Sequence, residues 1–74
     1  MRKETLYSPV SGIISQILTH SGSKVYEGQE IINIEVMKLF YCVTSGLSGT
    51  LSLNISEGEF CQEGQELGYI LEDS

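Results

Sequence analysis

The sequence predicts an all-β domain. Its expected form is a flattened barrel or sandwich of two four-stranded antiparallel sheets, related by an internal pseudo-two-fold axis. Three observations carry this. The chain is written twice, each half reads as short strands between glycine turns, and nowhere do apolar residues keep a helical spacing.

The repeat comes first. Ser8-Pro9-Val10-Ser11-Gly12 is echoed by Ser45-Gly46-Leu47-Ser48-Gly49. Ser15 is matched to Ser52 and Leu18 to Ile55, after which one residue is dropped. Gly22 then matches Gly58, Glu27-Gly28-Gln29-Glu30 matches Glu63-Gly64-Gln65-Glu66, Ile31 matches Leu67 and Ile34 matches Ile70. Neither half is long enough to stand alone, so the two must share one core.

The strands follow from this pattern. Residues 12–19 and 49–55 are rich in Ile, Leu, Ser and Thr, and 29–35 and 65–71 each follow a Glu-Gly turn signal. Gly28 and Gly64 hold equivalent turns, where a positive φ is expected. Ile14, Val25, Ile34, Leu51 and Ile70 are the expected core. The segment from Val36 to Thr44 has no echo. It joins the halves, and its counterpart in the second half is where the sequence stops. A two-fold axis therefore puts Lys38 at one end of the molecule and the two termini near the other.

Length and charge narrow the function. With 74 residues, the expected organisation is a single domain, 1–74. A domain this small buries only about 60% of its unfolded surface and has little room for an enclosed catalytic pocket. The net charge is −6, with four Lys and Arg in total, so no basic patch is available for nucleic acid. No apolar run approaches a membrane span of roughly 20 residues, and Met1-Arg2-Lys3-Glu4-Thr5 opens no secretion signal. A cytoplasmic location is the expectation. Cys42 and Cys61 form no CxxC pair and read as free thiols; with one histidine in the chain, a zinc site is disfavoured.

Lys38 is the residue positioned for chemistry. Its amine could attack an activated carboxyl once deprotonated. An ordinary lysine of pKa about 10.4 is neutral in roughly one molecule in a thousand near pH 7, so a separate ligase would have to activate the donor and take the proton. A solvated turn lysine explains the same residue. Lys24 lies close to Gly22 and Gly28 with no methionine before it, and Phe60 is its repeat partner, so it reads as surface. His20 and Tyr26 read as surface or edge.

Glu35-Val36-Met37-Lys38-Leu39 resembles the Glu-Ala/Val-Met-Lys-Met/Leu signature of biotin carboxyl carrier domains. Ser8-Pro9, Gly12, Gly22, Val25, Gly28 and Gly49 fall at the steps expected of that family, and the resemblance spans about residues 6 to 72. It implies a covalent biotin on Lys38, with Glu35, Val36, Met37 and Leu39 read by a biotin protein ligase. The implied partners are a biotin carboxylase and a carboxyltransferase, between which the chain, itself no catalyst, carries a carboxyl group. Lipoyl carriers are similar in fold but usually have Asp-Lys-Ala at the hairpin. A lipoyl carrier and an unmodified adaptor domain remain the alternatives. Two departures stand out. No protruding "thumb" is inserted between Gly12 and Gly28, and Phe40-Tyr41 stands where relatives commonly have polar residues. The aromatic pair is explained either as good strand formers or as a docking patch.

Overall fold

Eight strands appear in the computed structural model, which describes residues 1–73. They are β1 (Lys3–Tyr7), β2 (Gly12–Ile17), β3 (Lys24–Val25), β4 (Glu30–Val36), β5 (Leu39–Thr44), β6 (Gly49–Leu53), β7 (Phe60–Cys61) and β8 (Glu66–Glu72). One sheet has the order β1-β8-β6-β3 and the other β5-β4-β2-β7, with every pairing antiparallel. Exchanging β1 to β4 for β5 to β8 converts one order into the other, as the pseudo-two-fold requires.

Hydrogen bonds outside the strands repeat across that axis. Ser8 N donates to Gln65 O at 2.9 Å, and Ser45 N to Gln29 O at 2.9 Å. Gly64 N donates to Ser8 O at 2.8 Å, and Gly28 N to Ser45 O at 2.6 Å. Gly28 and Gly64 have φ of 88° and 84°, the left-handed region that disfavours a Cβ. Each turn is closed alike, because Gln29 Oε1 accepts from Tyr26 N and Gln65 Oε1 from Gln62 N, both at 2.9 Å.

The core lies between the sheets and draws equally on both halves. Ile14, Val25, Ile31, Ile34, Leu51, Cys61, Leu67 and Ile70 are almost fully buried. Each fully buried aliphatic side chain contributes about 1.5–3 kcal/mol of transfer free energy, before chain entropy is set against it.

Two details of the repeat are corrected by the structure. The extra residue of the first half is Ser15, at a bulge. The β2–β4 register passes from Ile14↔Ile34 to Gln16↔Asn33, whereas β6–β8 runs unbroken through Leu51, Ser52 and Leu53. The Ser15 hydroxyl donates to Asn33 O at 3.1 Å. Ser52 therefore matches Gln16, not Ser15, and Leu18 matches Asn54, not Ile55. Leu18 N and Asn54 N donate to the equivalent carbonyls of Ile31 and Leu67, and Thr19 and Ile55 form the buried pair. The segment without an echo is also shorter than expected. Strand β5 occupies the place of β1, with Val43 and Leu6 as equivalent buried residues. Inward alternation was kept while the residues themselves diverged, which hid the match.

The body measures 40 × 19 × 18 Å. Pairing of β1 with β8 joins the two chain ends. The axis carries that pair onto the β4–β5 hairpin, so the hairpin and the termini occupy opposite ends.

Candidate functional site

Strands β4 and β5 pair up to Val36↔Leu39, which leaves Met37 and Lys38 as a two-residue turn. Both have positive φ, 50° and 67°. This is the geometry that matches strand twist in a tight hairpin, and it is normally filled by Asn-Gly or Asp-Gly. A residue with a Cβ costs on the order of 1 kcal/mol in this region, so two side chains are held here against local preference. Such strain gathers at functional sites. Met37 is 91% exposed; it covers no neighbouring strand, which removes the packing explanation for a methionine at the turn.

The base of the hairpin is firm. Val36 packs on the core cluster, and β2 passes close beneath it. A Cβ built on Gly12 would lie 2.5 Å from Glu35 O and 2.6 Å from Val36 Cγ2, so glycine sets how closely β2 approaches β4. Glu35 is half-buried and turned outward between Phe40 and Ile13. Leu39 is 61% exposed.

The four cations differ in their partners. Arg2 Nη2 lies 2.6 Å from Glu72 Oε2, and Lys24 Nζ lies 3.9 Å from Asp73 Oδ2. Lys3 Nζ sits 4.5 Å from the Tyr69 ring centre. Lys38 alone has no ion pair, side-chain hydrogen bond or aromatic partner among the described residues. Glu35, two residues before the turn, does not pair with it. Its amine stands free in solvent at the tip of the molecule.

Rival chemistry is weak. Cys61 is buried beside Ser8 Oγ at 3.3 Å. Cys42 is exposed, but desolvation and the nearby Glu30 carboxylate push its thiol up, away from the reactive thiolate. A shallow depression lined by Arg2, Lys3, Glu4, Gly46 and Leu47 lies near the termini and not near the hairpin. Among the described residues no three His, Cys, Asp or Glu side chains are grouped to hold a metal.

Lys38, Met37 and Leu39 come together at the exposed tip, with Glu35 and Val36 at its base. The aromatic pair is divided: Phe40 faces outward, while Tyr41, opposite Ile34, lies on the inner side. Two residues were missed by sequence reasoning. Ile13 and Phe60 continue the row that begins with Phe40 and Glu35. Their signal was the mismatch between repeat partners, since Phe60 stands where the first half has Lys24.

Comparison with known proteins identifies the family of the chain. The family described as "Biotin-requiring enzyme" matches residues 4–70. The chain is 34% identical over 64 residues to the biotin carboxyl carrier protein of acetyl-CoA carboxylase from Solanum lycopersicum, covering 85% of this chain and 91% of that one. It is 36% identical over 63 residues to the mitochondrial propionyl-CoA carboxylase alpha chain of Homo sapiens, covering 85% of this chain and 8% of that one. Among solved structures, the Kluyveromyces lactis urea carboxylase superposes with a TM-score of 0.85 at 26% identity, over 96% of this chain and 6% of that one. The chain thus spans nearly all of one relative and a small part of the other two.

Proposed function

Because the chain belongs to the biotin-requiring enzyme family, we propose that Lys38 is the attachment point of a covalently bound biotin and that the domain is a biotin carboxyl carrier. The observation that carries this is the pairing pattern of the cations. Among the described residues Lys38 is the one lysine or arginine with no ion pair or aromatic partner, on a two-residue turn whose φ values are unfavourable for the side chains it holds. An acceptor lysine must reach a ligase active site, and none of the described residues covers or neutralises Lys38.

Attachment joins Nζ to the biotin carboxyl as an amide. The amine loses a proton to a base on the ligase, and the activating group leaves the acyl carbon. Glu35, Val36, Met37 and Leu39 are the residues we assign to ligase recognition, since they flank the amine on the rigid hairpin. When bound, biotin supplies a ureido ring that accepts and releases a carboxyl group. The chain itself supplies position. It holds the tether at the far end of a stiff body and leaves catalysis to a biotin carboxylase and a carboxyltransferase. The cytoplasm suits two unpaired cysteines.

Co-expression with a biotin protein ligase tests the reading. The wild-type chain should gain one biotin mass and react with streptavidin. Lys38→Arg should lose all label, because Lys3 and Lys24 lack the flanking methionine. A lipoyl increment on Lys38, or persistent biotin on Lys38→Arg, would reject it.

A further inference from the structure

The outer face of the β5-β4-β2-β7 sheet carries a single row across all four strands: Phe40, Glu35, Ile13 and Phe60. Phe40, Ile13 and Phe60 are 63%, 42% and 58% exposed. Strands lie about 4.8 Å apart, so the row runs roughly 14 Å across the sheet. Its Phe40 end lies two residues from Lys38, at the base of the turn that carries exposed Met37.

The fold supplies its own comparison for this row. In the other sheet the equivalent positions are Lys3, Leu71, Thr50 and Lys24, paired in the same order. The same backbone is therefore satisfied there by two lysines and a threonine, and nothing in the architecture calls for phenylalanine at the two ends. An exposed apolar row that folding does not need marks a surface used for contact, and aromatic side chains are the residues enriched in such contacts.

Charge narrows the partner. Arg2, Lys3 and Lys24 all belong to the β1-β8-β6-β3 sheet and its leading segment. The aromatic face has no cation in its strands. Glu35 lies within the row, and Glu57 and Glu59 border it on the loop before β7, where Glu57 Oε2 accepts from Ile17 N at 2.8 Å and Glu59 O accepts from Ile14 N at 2.8 Å. Two copies meeting through this face would oppose carboxylate to carboxylate.

We propose that this face docks the carrier onto its biotin carboxylase, at a surface of apolar pockets bordered by lysine and arginine, holding the body while Lys38 reaches inward. The proposal rests on the carrier reading above and names the surface that reading needs. Phe40 and Phe60 are the anchors, and the acidic groups guide the approach.

The test exchanges one sheet's row for the other's. The variant Phe40→Lys, Ile13→Thr, Phe60→Lys copies residues this fold already accepts, and it leaves residues 35–39 intact. A reciprocal variant carries Lys3→Phe and Lys24→Phe. Each is biotinylated, its label measured by streptavidin shift and its fold by thermal melting. Each is then assayed as substrate for the biotin carboxylase of the same organism. The row exchange should raise KM roughly tenfold or more, as loss of interface anchors does, with kcat, labelling and melting little changed. Added salt should raise the wild-type KM. The reciprocal variant should leave KM near wild type. An unchanged KM for the labelled, folded row exchange overturns the docking proposal while the carrier reading stands. Failure of the wild type to take biotin overturns the carrier reading first. A wild-type dimer in sedimentation that the row exchange dissociates overturns the proposal in favour of a contact between copies.

Discussion

The two sheets share a plan and differ in finish. Inside, their positions correspond: Ile34 with Ile70, Ile31 with Leu67, Val25 with Cys61, all buried. Outside, a row of Phe40, Glu35, Ile13 and Phe60 faces a row of Lys3, Leu71, Thr50 and Lys24. Packing at near-crystalline density fixes what the interior accepts, and both halves have kept to it. The outer faces meet only solvent or partners, so what they carry records use. Difference between repeat-equivalent surface positions is thus more informative than either surface alone.

The comparison makes its largest prediction in the core. Ile34→Ala and Ile70→Ala remove equivalent, fully buried side chains, and each should cost about 2–5 kcal/mol in denaturant unfolding. The two losses should agree closely. A gap of several kcal/mol between them would mean that the halves do not share the core evenly. Next come Gly28→Ala and Gly64→Ala. An added Cβ meets nothing within 4 Å at either site, so only the positive φ is penalised. Each should cost on the order of 1 kcal/mol, read as matched falls in melting temperature.

The strands of the interior were legible in the sequence because glycine turns and buried isoleucines recur at fixed offsets. Residues 12–19 and 29–35 were recognised, each within two residues of β2 and β4. Strands β3 and β7 were not, since two residues carry no alternation to detect. The equivalence of β5 with β1 was hidden because the exposed Leu39, Phe40 and Tyr41 of β5 leave it only the buried Val43 position in common with β1. The bulge at Ser15 was misplaced because a serine on either side aligns equally well; only the register against Asn33 decides it. Of the candidate site, Lys38 and its flanks could be read along the chain. The row running to Ile13 and Phe60 could not, because it exists only once four strands lie side by side.

The turn and the termini sharpen the comparison of the two ends. Met37→Asn with Lys38→Gly places favoured residues at φ of 50° and 67° and should raise stability by roughly 1 kcal/mol while abolishing biotinylation. A loss of stability would show that the two side chains hold the hairpin in place. Lys38→Ala alone keeps the strained turn and touches nothing else. It should shift stability by no more than about 0.5 kcal/mol and reduce carboxylation by the assembled enzymes to background. Unfolding of that variant would make Lys38 structural.

The smallest effect belongs to the opposite end, where the chain is clasped without a covalent turn. Glu72 Oε2 accepts from Arg2 Nε at 3.0 Å and Nη2 at 2.6 Å, Glu72 Oε1 accepts from Arg2 N at 3.2 Å, and Glu72 N donates to Arg2 O at 2.9 Å. The Arg2 guanidinium, and after it the Arg2 backbone N–H, hold the Glu72 carboxyl below its ordinary range. A carboxylate depressed in the folded state binds its proton more weakly there than in the unfolded chain. Its contribution is therefore complete above the ordinary glutamate pKa of about 4.3 and fades as pH falls through the lower folded value. The Arg2 side chain is exposed and that of Glu72 partly so, so salt screens the pair and the effect is small. Glu72→Gln should be slightly less stable than wild type in urea at pH 7 and low salt, and the gap should narrow at pH 3, below the ordinary glutamate range, or in concentrated salt. A difference of the same size at both pH values would assign the clasp to the backbone pair alone, and the acid sensitivity of this end would have to come from another carboxylate.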